Sequence, residues 1–304
     1  MLEFHTLDVF TDQPFAGNPL AVVLGADALT TVQMQTIAAE FNLSETIFVL
    51  SPINPAHTAR VRIFLPNAEI PFAGHPTIGC AIHLACAAHQ GDFSALITLE
   101  EEAGLVPVRV HRKGDQVEAE FAAPVLPFAC QSSAPEALVK QALGLDALGF
   151  RAHRTGVFEG GPRFLFVPVP DLAALRRARP LEPAWSEMLA LCDVDKVYVY
   201  TAGEACDFQA RMFAPTAGIA EDPATGSASA ILAAQLLASG EIHKGSQAFT
   251  LHQGIEMGRP STIRLSIDAN PSLTQVRIGG SAVPISRGQM AIPCCPLGNA
   301  ALGA

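Results

Sequence analysis

Residues 62–79, RIFLPNAEIPFAGHPTIG, and residues 211–230, RMFAPTAGIAEDPATGSASA, are two copies of one piece of chain. Arg62, Phe64, Pro66, Ala68 and Ile70 fall on Arg211, Phe213, Pro215, Ala217 and Ile219 at an offset of 149. Gly74 and Gly226 lie 152 apart, which puts three extra residues just before the second helix. Phe10 and Pro14 match Phe158 and Pro162 at an offset of 148. One match of this kind is chance. A near-constant offset of about half the 304 residues is a repeat, so one half of the chain is written twice.

The local patterns agree. The first half predicts strands near 3–10 and 19–24, a Thr-capped helix in LTTVQMQTIAAEFN, and strands near 46–50 and 60–65. A Gly-His-Pro turn then opens a helix over 77–88, and two alternating strands follow. PRFLFVPV, a helix around PAWSEMLALC, KVYVYTA, FQARMFA and a helix over 227–238 come in the same order in the second half. ILAAQLLA has almost no polar face, so its helix should be buried on all sides by strands wrapped around it. The segment 122–136, with three prolines, reads as the linker.

Composition narrows the function. Hydrophobic residues make up 49% and charged residues 16%, which fits a compact protein with a large core. The net charge is −10, and the only basic cluster is RRAR at 176–179, so neither nucleic acid nor an anionic membrane is an expected partner. No apolar run is long enough to span a membrane, and the N-terminus reads as a strand. Seven cysteines without a CxxC read as reduced thiols of a cytoplasmic protein. His83 and His89 are six apart and no metal-ligand spacing occurs. GxGxxG, GxxxxGK and GxSxG motifs are missing, so no metal and no cofactor is expected.

The repeat predicts a site. Two similar domains packed face to face bring equivalent loops together, so the turns before the two buried helices should share one cleft. Helix N-termini present free N–H groups and partial positive charge. Two of them make a place for a small anion such as a carboxylate. Gly74 and Gly226 would let the backbone come close, with His75, Asp222 and Ser227 beside them. Each also has a plain structural reading: Asp222-Pro223 as a helix start, Ser227 as a second cap, His75 as a core histidine. Glu45, between a helix end and an apolar strand, is either an exposed edge acid or the acid of the site. At the repeat offset the second half has Val194 there, flanked by Asp193 and Asp195.

NLSETIFVL, the two repeat copies, HQGIEMGRPS and VRIGGSAVPISRG together resemble the phenazine-biosynthesis PhzF family. That family is similar in fold to diaminopimelate epimerase and proline racemase. The resemblance implies an α+β fold of two pseudo-equivalent domains, each a mostly antiparallel, barrel-like sheet around a central apolar helix, and a homodimer. The domains would span 1–125 and 126–284, with a C-terminal strand in 285–304 returning to the first. It implies a cofactor-independent isomerase, whose type member acts on trans-2,3-dihydro-3-hydroxyanthranilate. Carried over, the proton-shuttling acid is Glu45, and the substrate-binding positions are Gly74, His75, Asp222, Gly226 and Ser227. Racemases of this fold place a cysteine in each of the two turns. Here those places read as Ala73 and as Pro223 or Ala224, so a carboxylate must carry the proton. The alternatives are a non-catalytic binder of a small metabolite, or an epimerase or racemase that does without the two cysteines.

Overall fold

A computed structural model describes residues 1–294. The first half runs β1 (Leu2–Val9), β2 (Asn18–Val23), α1 (Thr31–Phe41), β3 (Glu45–Leu50), β4 (Ala59–Phe64), β5 (Glu69–Ile70), α2 (Gly74–Ala88), β6 (Phe93–Glu101), β7 (Gly104–Lys113) and β8 (Gln116–Ala122). The second runs β9 (Phe128–Ala129), α3 (Glu136–Leu143), β10 (Gly156–Glu159), β11 (Arg163–Pro168), α4 (Leu172–Arg177), α5 (Ala184–Cys192), β12 (Val197–Ala202), β13 (Phe208–Ala214), β14 (Ile219–Asp222), α6 (Gly226–Ala238), β15 (Gly245–Gln253), β16 (Ser261–Ala269) and β17 (Leu273–Met290). α1 starts where its sequence says: the Thr30 hydroxyl accepts from Gln33 N–H, and the Gln33 side chain accepts from Thr30 N–H.

Each half rolls its strands around one helix. In the first, β1, β2, β3, β4, β6, β7, β8 and β17 pair in that order, and β17 closes back on β1. Most pairings are antiparallel; β2–β3 and β4–β6 are parallel. In the second, β10, β11, β12, β13, β15, β16 and β17 repeat the pattern, with β9 on the outer edge of β10. α2 and α6 fill the two barrels. Both are buried from their first turns through most of their length, emerging only at their C-terminal ends, because neither has a polar face to turn to water.

β17 belongs to both barrels. Leu273–Gly279 pairs with β16, Arg277–Ser281 with β8, and Ala282–Met290 with β1. A single apolar core accordingly runs through both halves. Smaller clusters lie under α1 and around Trp185 between α3 and α5.

The register corrects one reading of the repeat. Phe64 pairs with Glu69 and Ile63 with Ile70, while Met212 pairs with Asp222 and Ala214 with Ile219. The three extra residues therefore lie in the β13–β14 turn, around the short 3-10 turn Pro215–Ala217, and not just before the helix. An ion pair shows the true equivalence. Arg62 grips Glu69 with two bonds of 2.7 and 2.6 Å, and Arg211 grips Glu221 with two of 2.8 Å. Isoleucines 70 and 219 matched in sequence without being equivalent in space. Among the described residues no helix is long and apolar enough to cross a membrane, and the cysteines are free thiols.

Candidate active site

The two buried helices meet at their N-termini. A methyl group placed on Gly74 would lie 3.4 Å from the Cα of Gly226. α2 begins after Ala73 and α6 after Thr225, and neither helix has a side-chain cap. Their first N–H groups are thus left without the usual side-chain acceptor. Asp222 is not a cap: it ends β14, three residues before Thr225. Ser227 is not one either; it is half-buried in the first turn of α6, opposite His75 in the repeat.

β3 delivers Glu45 to this junction. Its Oε2 lies 3.5 Å from Nε2 of His75. Both atoms are buried without a hydrogen-bond partner, as is Oδ1 of Asn18. Buried polar side-chain atoms are ordinarily hydrogen-bonded, so these exceptions make the junction a candidate site. The pairing of Thr46 with Phe64, and of Val197 with Phe213, makes Lys196 the counterpart of Glu45. Lys196 pairs with Asp195 instead, and Asp193 with Arg163. The acid therefore stands on one side only.

Burial sets the charge states. It pushes Glu45 well above the ordinary carboxylate range, and the carboxylate of Asp222 pushes the same way. His75 is lowered to about 3 by burial, against the pull of the Pro19 carbonyl, so its imidazole is neutral. Asp222 is raised by burial to about 6, although the Thr225 hydroxyl, the Asn18 amide and the Ser44 hydroxyl favour its charged form.

Asp222 is the most elaborately held group. Asn18 donates through Nδ2 to Oδ1 of Asp222 at 2.7 Å and to the carbonyl of Ala224 at 2.9 Å. Thr225 donates to Oδ2. Gln253 donates to the Asp222 carbonyl at 2.7 Å and accepts from Thr225 N–H at 3.1 Å. Sequence reasoning missed Asn18, Ser44, Thr225 and Gln253 as members. A signal for Asn18 existed: PFAGNP at 14–19 nearly copies PFAGHP at 71–76, and Asn18 stands in it where His75 stands in the other.

Ala73 and Thr225 each precede the glycine that opens a buried helix. Neither side chain ionises in the working range. Among the described residues no cluster of three or more metal-ligating side chains forms.

Residues 7–288 match the family described as phenazine biosynthesis-like protein. An uncharacterized isomerase of Mesorhizobium japonicum is 42% identical, covering 94% of this chain and 97% of its own. The trans-2,3-dihydro-3-hydroxyanthranilate isomerase of Pseudomonas chlororaphis is 37% identical, covering 96% of this chain and all (100%) of its own. The crystal structure of a Bacillus anthracis PhzF-family protein superposes with a TM-score of 0.85 at 24% identity, over 96% of this chain and 99% of that one. With the family model spanning nearly the whole sequence and relatives matched end to end, the chain belongs to the phenazine biosynthesis-like, or PhzF, family.

Proposed function

We propose that this protein is a cofactor-independent isomerase that shifts a proton between carbons of a small carboxylate, with Glu45 as its acid and base. The observation that carries the reading is the Glu45–His75 contact at 3.5 Å, with both facing atoms buried and unpartnered, at the point where two helix N-termini meet. The named activity of relatives about 37% identical supports trans-2,3-dihydro-3-hydroxyanthranilate or a related metabolite as substrate.

The chemistry follows from the charge states. The free N–H groups at Gly74 and Gly226, with the Ser227 hydroxyl, take the substrate carboxylate. Asp222 accepts from a substrate amino or hydroxyl group. Glu45 takes a proton from one carbon, the electron pair delocalises into the conjugated system, and the same carboxyl returns the proton at another carbon. A carboxyl raised well above its ordinary range is a stronger base than an exposed one and can return the proton it takes. Neutral His75 hydrogen-bonds to the reacting region without adding a charge that would drag Glu45 down.

Solvent exchange tests this. Incubated in deuterium oxide with trans-2,3-dihydro-3-hydroxyanthranilate and a panel of cyclic and amino-acid-derived carboxylates, the protein should place deuterium on a substrate carbon. Glu45→Gln should abolish that. A carboxylate that binds at the site without any exchange would leave a metabolite-binding protein instead.

A further inference from the structure

Arg259 lies outside the proposed site, in the turn between β15 and β16, yet every side-chain bond it makes is to the other half of the molecule. Its Nε donates to the carbonyl of Gly17 at 2.8 Å. Its Nη2 donates to the carbonyl of Ala16 at 2.7 Å and to Oδ1 of Asp8 at 2.5 Å. Asp8 is 4% exposed, and its second oxygen accepts from Phe15 N–H at 2.7 Å. The neighbouring backbone joins in: Gly17 N–H donates to the Pro260 carbonyl at 3.0 Å, and Thr262 N–H to the Phe10 carbonyl at 2.7 Å.

What is gripped is a strained loop. Phe10 and Phe15 hold φ of 63° and 66°, in the left-handed region that only glycine adopts freely. Gly17 has φ +65°, and a methyl there would strike the Val9 carbonyl at 2.3 Å. The next residue is Asn18, fully buried, whose amide reaches across to Asp222 and Ala224. A loop strained at Phe10 and Phe15 needs an outside hold to keep its last residue in place. The guanidinium, with two donors on consecutive carbonyls and one on a carboxylate, supplies it in a geometry a lysine cannot copy.

We propose that Arg259 is a positioning residue of this site: by clamping the loop before β2 onto the turn after β15, it fixes Asn18 against Asp222. The inference rests on the site proposed above, but not on its chemistry. Asp222 is faced by Glu45 from β3, by Tyr198 from β12 and by its neighbour Glu221, and Asn18 is one of three donors that favour its ionised form.

The test is a titration. The side-chain carboxyl ¹³C shift of Asp222 is followed against pH in the wild type, Arg259→Ala, Asn18→Ala and the double variant. Arg259→Ala and Asn18→Ala should each move the midpoint upward by about half a unit to one unit, the equivalent of one hydrogen bond. The double variant should go no further than the larger single change, because both remove the same bond. Glu101, a buried carboxyl that Arg259 does not touch, should keep its midpoint in the same spectra. An unmoved Asp222 in Arg259→Ala, additive shifts, or a Glu101 that moves along with Asp222 would overturn the clamp. If Arg259→Ala does not fold, Asp8→Asn removes the ion pair and keeps the carbonyl bonds; it should give a smaller upward shift, and no shift would overturn the proposal. These readings need no turnover, so a wild-type protein that binds the carboxylate without deuterium exchange refutes the isomerase reading separately.

Discussion

Gly74 and Gly226 are packed Cα against Cα, with 3.4 and 3.5 Å left for a methyl on either one. That is ordinary van der Waals contact, so Gly74→Ala should fold with a stability change within about 1 kcal/mol. The methyl would nonetheless stand where a substrate carboxylate must approach the helix N–H groups. KM should rise at least about tenfold, since one charge-assisted hydrogen bond is worth at least that much. Gly226→Ala should destabilise more, because its methyl meets the Phe10 ring at 3.3 Å. Melting curves beside steady-state kinetics separate the two effects.

Glu45→Gln keeps the shape of the side chain and removes its titrating proton. Turnover should drop by about 10²–10⁴ or more, since one group both takes and returns the proton. Stability at neutral pH should hold or rise. The folded carboxyl is raised, so at neutral pH folding either neutralises the group or buries its charge, and both are unfavourable. A folded Glu45→Gln protein with near-normal turnover would end the mechanism.

Glu101 gives a pH dependence with a definite sign. The Thr77 hydroxyl lies 2.8 Å from the Ala73 carbonyl and 2.7 Å from the Glu101 carboxyl, and it has one proton to give. Burial raises Glu101 from 4.5 to about 8, against the pull of the Thr77 hydroxyl, which favours the charged form. Because the folded value is the higher one, the unfolded chain releases its proton first as pH rises. Stability should therefore fall between the two values, by at most about 1.4 kcal/mol per unit. Urea unfolding across that window should show a flatter profile for Glu101→Gln. An unchanged slope would mean that Glu101 ionises like an exposed acid.

Alkylation of accessible thiols should leave activity intact. Cys80 is buried and its thiol is pushed up by burial, while Cys294 is exposed. The two helix-cap positions hold Ala73 and Thr225. Iodoacetamide should modify Cys294 with no loss of turnover. Rapid inactivation that substrate prevents would place a thiol in the site.

The architecture was legible because it rests on patterns the chain writes locally and then repeats. Arg62 and Arg211 marked equivalent strands, and the apolar runs after Gly74 and Gly226 marked helices with nowhere to go but inside. The helices begin at 74 and 226 rather than 77 and 227, since the turn residues themselves join the first turn. Less was legible at the site. Asn18 reaches Asp222 across more than 200 positions, and the local sequence around an asparagine says nothing about such a partner. RRAR, read as a basic cluster, covers the end of a short helix instead. The carbonyls of Leu175, Arg176 and Ala178 there accept from Arg211, so the arginine of the repeat doubles as a helix cap. Ile219 misled because a chance identity filled the place that the inserted turn had shifted.

The strand Leu273–Met290 has a consequence for the history of each molecule. β1 pairs with the nearby β2 on one edge, but its other edge finds a partner only when residues 282–290 have been made. Until then the first barrel is an open sheet with a long bare edge, exposed to any other nascent strand. A fragment ending before residue 273 would be left in that condition permanently. The first half therefore cannot close alone, and its barrel is completed only in one late event.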